Sequence, residues 1–297
     1  MGSSKPTQYP GLLDNAEVRN GWASGAVTVL LGTTMLFAYC PQGRAATVAE
    51  ALAQVVHGTQ ATAVVVDLQT GTVLASAGEA RRGVPGSVVK PLLLAYGLEH
   101  GIVSPDMEVY CHRSLHVGGR TLPCTHPADL PVFTAESALA ESCNTWFAEM
   151  ARRFTGPELE AALRETRLPH ATMTTANVER RQLAVLGLVG VTASPLELAR
   201  AYRELLMRVP PKGTVALGLE DSVRYGMANP AAVTGMTILG KTGTASDLGE
   251  AWTHGWFAGA IPGRFVVVVY VPHGDGGDAA RLAQKLFQSV AGAGRTK

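Results

Sequence analysis

The sequence predicts an α/β chain of the α+β type: an antiparallel β-sheet flanked by helices, with an all-helical subdomain, preceded by one membrane-spanning or signal segment. Three observations predict it. β-rich runs lie on both sides of a long middle section, "TAVVVDLQTGTVLASAG" before it and "MTILGKTGTA" and "THGWFAGAIPGRFVVVVYV" after it. The middle, Phe133 to Arg208, carries helical periodicity and helix-start signals. Strands from the two ends combine most simply into one sheet with helices on its faces. Asn20 to Gly43, ahead of all this, carries no charge.

Residues 1–19 read as a short tail. Within residues 20–43, Trp22 to Cys40 ("WASGAVTVLLGTTMLFAYC") has about the length of one bilayer crossing. Lys5 and Arg19 precede it and Arg44 follows, so flanking charge sets no orientation. An uncleaved anchor, a signal peptide cut near Gly43-Arg44-Ala45 and a buried core helix all stay open. An anchor would leave the domain at the cell (cytoplasmic) membrane on its extracytoplasmic side; cleavage would make it secreted or periplasmic. Residues 44–60 ("AATVAEALAQVV") read as a helical linker to a domain over 61–297.

In that domain, two β runs turn at Gln69-Thr70-Gly71, and a helix runs from Ser87 to about Gly101. Val109 to Pro123 reads as a loop or small hairpin around Gly118-Gly119. Pro157 marks a helix start. In "TASPLELARAYRELLMR", Ser194 caps a helix, Pro195 takes its first turn and Glu197 completes a capping box. Two strands turn at Pro262-Gly263, and "DAARLAQKLFQSVAGAG" closes the chain as an amphipathic helix with Leu282, Leu286 and Val290 on one face.

At 297 residues and 46% hydrophobic, the chain can fill a large core. A net charge of +1 gives no electrostatic case for nucleic acid. Arginine outnumbers lysine nineteen to six, so a lysine in a motif is informative. Lys90 lies in an apolar run, "VVKPLLLAYGL", where an ammonium is costly unless partnered or deprotonated. Ser87 and Lys90, at i and i+3, share a helix face. A serine hydroxyl near a helix N-terminus is a nucleophile if a base takes its proton, and a desolvated lysine can be that base. An isolated Ser-x-x-Lys is more simply a capped helix with a snorkelling lysine.

Two further clusters change that balance. Ser142-Cys143-Asn144 offers a hydroxyl for proton relay and a carboxamide to hold a peptide carbonyl or orient Lys90, though alone it reads as a helix cap. Lys241-Thr242-Gly243, followed by Thr244, ends a strand. Lys241 supplies a second cation, Thr242 and Thr244 supply hydroxyls for a carboxylate, and Gly243 permits close approach of a substrate backbone to the strand edge. The alternative is an edge strand blunted by a lysine.

In this order, "SVVK", "SCN" and "KTGT" resemble the motif set of the penicillin-recognising serine enzymes. From about Ala61 to Gly292 the chain is similar to the transpeptidase domain of penicillin-binding proteins, in "PGSVVKP", "LGLVGVTASPLELARAY" and "KTGTA…HGWFAGAIP". The resemblance implies a β-lactamase/transpeptidase-like fold and no cofactor. It also implies that Ser87 is acylated by a peptidoglycan stem peptide or a β-lactam, with Lys90 as base, Ser142 passing the proton to the leaving amine and Asn144 holding the donor amide. Lys241, Thr242 and Thr244 would bind the terminal carboxylate, and the Ser87 and Thr244 backbone N–H groups would form the oxyanion hole. Other wall-synthesis membrane proteins are implied as partners.

A D,D-carboxypeptidase, a serine β-lactamase and a non-turnover sensor remain alternatives. Class A β-lactamases add a Glu-x-x-Leu-Asn loop. The nearest match here, Glu160 to Arg164, has arginine where asparagine belongs and reads as structural. Class D enzymes prefer valine where this chain has Asn144. Ala45 to Gln60 leave no room for the pedestal domain of larger relatives, which points to a minimal catalytic unit.

Of four cysteines, Cys111 and Cys124 are candidates for a disulfide if the domain is exported. Free thiols and a metal site are the other readings. His112, His116 and His126 lie nearby, but the spacing fits no standard zinc finger, so no metal is expected.

Overall fold

The run "FVVVVYV" is apolar at every position, as a strand covered on both faces must be. In the computed structural model, which describes residues 42–247 and 249–292, it is the central strand of the main sheet. Val266, Val268 and Tyr270 enter one core, and Phe265, Val267 and Val269 enter another on the opposite face.

In chain order, α1 (Gln42–Val56) precedes the hairpin β1 (Thr62–Asp67) and β2 (Val73–Ala77). A 3-10 turn, Gly86–Val89, runs into α2 (Lys90–Glu99), followed by β3 (Val109–Tyr110), the hairpin β4 (Ser114–Val117) and β5 (Arg120–Pro123), and β6 (Val132–Phe133). Helices α3 (Ala135–Ala140), α4 (Asn144–Arg153), α5 (Gly156–Glu165), α6 (Val178–Val185), α7 (Pro195–Arg208) and α8 (Thr214–Arg224) come next. A short 3-10 turn (Asn229–Ala231), β7 (Leu239–Ala245), β8 (His254–Ile261), β9 (Phe265–Val271) and α9 (Gly276–Gly292) complete the described residues.

Among the described residues, the main sheet has the order β2-β1-β9-β8-β7, antiparallel at every pairing. Strands from both ends thus share one sheet, and β7 lies at its edge. One face is covered by α1 and α9, with Val48, Leu52, Leu286, Phe287 and Val290 in that core. The other faces the larger helical core, where Trp146, Phe147, Leu198 and Tyr202 are buried.

The tail at 1–19 and the anchor-or-signal stretch lie outside the described residues, except that Gln42 and Gly43 begin α1. No described helix is long and apolar enough to cross a membrane. The stretch read as a linker at 44–60 is helical through Val56, and Val48, Leu52 and Val56 pack into the sheet's core.

The first hairpin turns where expected, and Asp67 Oδ1 accepts the backbone N–H groups of Gln69 (3.0 Å) and Thr70 (2.8 Å). Gly118 and Gly119 both take positive φ (55° and 71°), the requirement of a two-residue hairpin. The helix expected from Ser87 begins as a 3-10 turn, its α-helical part starting at Lys90. Sequence pattern alone does not assign helix α8. Gly218 at its centre lowers the helical signal, yet a Cβ there would stand 3.0 Å from both the Glu136 carbonyl oxygen and Leu139 Cβ, so glycine lets α8 lie close on α3.

The capping box on α7 forms as read: Ser194 Oγ accepts the Glu197 N–H (3.4 Å) and Glu197 Oε2 accepts the Ser194 N–H (2.9 Å). Ser194→Ala is expected to lower the unfolding free energy by about 1 kcal/mol, read as a lower urea midpoint at unchanged slope. An unchanged midpoint would show that the box contributes nothing.

Candidate active site

Ser87 sits in the 3-10 turn, and the turn is held on several sides. Gly86 N–H donates to the Gly187 carbonyl (2.9 Å), and the Tyr202 hydroxyl donates to the Val88 carbonyl (2.8 Å). Just upstream, the Val84 carbonyl lies 3.0 Å from Trp256 Nε1 and 2.8 Å from His254 Nε2, both donors to it, while Val84 N–H donates to Asp247 Oδ1 (2.9 Å). Against β7 the contact is backbone on backbone. A Cβ at Gly243 would lie 2.6 Å from the Pro85 oxygen, and one at Gly86, which has φ +56°, would lie 2.8 Å from the Thr244 oxygen. Gly243 therefore brings the Ser87 turn against the third motif. Ser87 itself is half-buried, and its hydroxyl has no hydrogen-bond partner among the described residues.

Lys90 is fully buried. Its ammonium donates to the Ser142 carbonyl (2.9 Å) and Asn144 Oδ1 (2.8 Å), lies 3.3 Å from Ser142 Oγ and sits 4.9 Å from the centre of the Phe147 ring. Burial pulls its pKa down to about 8, opposed by Cys143 and Cys124. Two of these partners, the carbonyl and the amide oxygen, only accept. A neutral Lys90 keeps its two protons on them and turns its lone pair toward the Ser142 hydroxyl. Asn144 is fixed in turn by donation from Nδ2 to the Pro123 carbonyl (3.2 Å). Ser142 takes a left-handed backbone, φ +55°, between α3 and α4, a conformation that costs a non-glycine residue energy and turns the short motif inward.

Lys241 is also fully buried, its ammonium donating to the Thr242 carbonyl (3.2 Å). Its pKa is driven well below the usual lysine range, first by burial and then by the charge of Lys90, against the pull of Glu141. Glu141 is buried beside the second motif; burial raises its pKa, against the pull of His126 and Lys241. The only sign of Glu141 in the sequence is its position next to Ser142. Thr242 is buried and its hydroxyl donates to the Met227 carbonyl (3.3 Å). Thr244 is exposed. Its Oγ1 accepts the Gly276 N–H (2.9 Å), which leaves the hydroxyl proton free to donate.

The structure thus joins the second motif to Lys90 by hydrogen bonds and the third motif to the Ser87 turn by backbone contact. Ser87 and Lys90 are joined through the main chain, the Lys90 N–H donating to the Ser87 carbonyl, and no hydrogen bond links their side chains. Glu160 lies in α5, accepts the Met173 N–H, and stands 3.7 Å from Arg164 and from His170. The disulfide expected between Cys111 and Cys124 is not formed: both are free, buried thiols. Their sulfurs turn instead toward Thr145 Oγ1 (3.4 and 3.9 Å), and Cys111 Sγ also faces His126 Nε2 (3.3 Å).

Residues 61–291 match the penicillin binding protein transpeptidase domain, and the chain belongs to that family. No curated protein matches it. Solved structures share the fold at low identity. The D,D-transpeptidase domain of a peptidoglycan glycosyltransferase from Eggerthella lenta has a TM-score of 0.73 at 18% identity, over 84% of this chain and 82% of that one. The transpeptidase domain of penicillin-binding protein 3 from Burkholderia pseudomallei has a TM-score of 0.71 at 20% identity, over 86% and 94%. A chain from a structure titled for a peptidoglycan synthase complex that coordinates polymerization and crosslinking has 0.68 at 21% identity, over 86% and 61%.

Tyr202→Phe removes the buried hydroxyl that donates to the Val88 carbonyl. The expected loss is about 1–2 kcal/mol, measured by chemical denaturation. An unaltered stability would mean that the hydroxyl does not hold the turn.

Proposed function

We propose that the chain is a peptidoglycan D,D-transpeptidase that works through a Ser87 acyl-enzyme. The observation that carries the reading is the buried Lys90 amine held by Ser142 and Asn144 in the family's motif order. Ser87 Oγ attacks the carbonyl carbon of the penultimate D-alanine, and its proton passes to Lys90, relayed by the Ser142 hydroxyl. The C–N bond breaks, and the proton leaves with the amine of the terminal D-alanine through Ser142. An amine of a neighbouring strand then attacks the ester, gives up a proton along the same route and restores the Ser87 hydroxyl.

Backbone N–H groups of Ser87 and Thr244 hold the oxyanion, a contribution worth a few kcal/mol in such sites. The donor peptide lies along β7, whose outer edge has no strand partner among the described residues. The exposed Thr244 hydroxyl donates to the terminal carboxylate. Lys241 is buried at the third motif, where burial and the charge of Lys90 oppose its own ionisation, and Thr242 keeps the strand on the Met227 carbonyl. The uncharged stretch at 20–43 supports a tether that holds the domain outside the cytoplasmic membrane, where its substrate lies. The likeness to a chain of a synthase complex supports partners among wall-synthesis membrane proteins.

A fluorescent penicillin tests the nucleophile. Stable labelling of the full chain is expected, and loss of label in Ser87→Ala. Label persisting on another residue would remove Ser87 from the reaction. Lys90→Ala is expected to slow acylation by about 10²–10⁴-fold, and Lys241→Ala to slow it in the same direction.

The active form of Lys90 is the neutral one. With its pKa at about 8, acylation is expected to rise tenfold per pH unit below that value and level off above it. A flat profile between pH 6 and roughly 9 would exclude Lys90 as the base. A D-Ala-D-Ala stem peptide with a D-amino acid acceptor separates the turnover classes: exchange product for a transpeptidase, free D-alanine alone for a carboxypeptidase, neither for a sensor.

A further inference from the structure

We propose that Cys111, Cys124, Cys143 and His126 form a zinc site that braces the second motif. The four ligand atoms lie within 4.8 Å of one another, and all four residues are buried. A tetrahedral zinc with sulfur at about 2.3 Å sets its ligands about 3.8 Å apart, which such a cluster reaches with small side-chain adjustments. Three sulfurs and one imidazole are a donor set characteristic of structural zinc.

The surroundings point the same way. His126 Nδ1 lies 3.1 Å from the Pro127 carbonyl, which can only accept, so Nδ1 carries the proton. Nε2 then holds a lone pair facing Cys111 Sγ at 3.3 Å. That is the tautomer of a metal-binding histidine oriented by a backbone carbonyl. Arg113 N–H points at Cys111 Sγ (3.4 Å), and the Thr145 hydroxyl lies within reach of two sulfurs, so the thiolates that zinc requires would have donors. The turn that shapes the cluster is itself held: Cys124 N–H donates to the Arg113 carbonyl (2.8 Å), and Arg113 Nη1 donates to the His126 carbonyl (2.7 Å).

Cys143 is the middle residue of the second motif, and both of its neighbours hold Lys90. Zinc on Cys143 would bind the segment from Cys111 to His126 to that motif and fix the partners of the lysine. Binding requires three thiols to release their protons to solvent, with no redox change. The role is positioning, since the ion touches no reacting atom.

The full chain, purified under reducing conditions, is expected to carry one zinc by elemental mass spectrometry. After chelator treatment it should take up cobalt(II) with thiolate charge-transfer bands and the visible spectrum of a tetrahedral centre. Cys124→Ser should lose stoichiometric zinc, whereas His126→Cys, which keeps four soft ligands, should retain it. If Cys124→Ser does not fold, the cobalt spectrum of the unaltered chain still decides.

Zinc-free protein that takes up neither metal, zinc retained in both Cys124→Ser and Cys143→Ser, or a Cys111–Cys124 disulfide that persists in the purified chain would each overturn the site. Removing zinc should also lower the melting temperature and slow penicillin acylation at least tenfold. The acylation readout rests on the function proposed above. Metal content and the cobalt spectrum do not, so the two ideas fail separately.

Discussion

An ammonium group with no access to water dictates most of this site. Lys90 stands at the start of α2 among side chains buried from Val88 to Gly97, where a lone charge costs several kcal/mol. The structure meets that cost with two oxygens that can only accept, the Ser142 carbonyl and Asn144 Oδ1. Presenting both from one short segment requires the chain to reverse between α3 and α4, and Ser142 does so by taking a left-handed conformation. The left-handed residue between α3 and α4 and the depressed pKa are two sides of one arrangement. Each loses its reason if the lysine moves to the surface.

Backbone proximity does the rest of the assembly. The Ser87 turn meets β7 through Gly86 and Gly243, and it meets the segment after α6 through Gly187, where a Cβ would fall 2.1 Å from the Gly86 oxygen. Contacts between main chains leave little freedom for side-chain substitution. Side-chain hydrogen bonds from Tyr202, Trp256 and His254 hold the turn and the segment just before it as well. Rigid placement of this kind is what a site needs when its reacting groups come from distant parts of the chain.

Much of this was legible in residue patterns. The sheet built from both ends, the hairpins at Gln69-Thr70-Gly71 and Pro262-Gly263 and the capping box at Ser194 follow from periodicity and turn chemistry, which are local. The motifs around Ser87, Ser142 and Lys241 were legible through residue type and order. The clamps on Val84 and Val88, and the burial of Glu141 near Lys241, depend on which elements meet and have no local sign.

Cys111 and Cys124 show the limit most plainly. Their spacing in the chain favours a bond between them, and His126 lies in the same segment, but Cys143 reaches the same place from the start of α4, and no spacing rule reports its arrival. Gly243 shows a related limit. Glycine in an edge strand signals a close approach, and the approach seen here is made by the chain's own Pro85 carbonyl.

The position of β7 at the end of the sheet has a further consequence. A strand edge open enough to take up an extended peptide is equally open to the edge of another copy, and nothing in backbone hydrogen bonding distinguishes the two. Solubility at high concentration therefore depends on what crowds that edge. The 3-10 turn carrying Ser87 lies against one face of the strand, with the Pro85 oxygen 2.6 Å from where a Gly243 Cβ would stand, so the chain's own backbone closes that face to a second sheet.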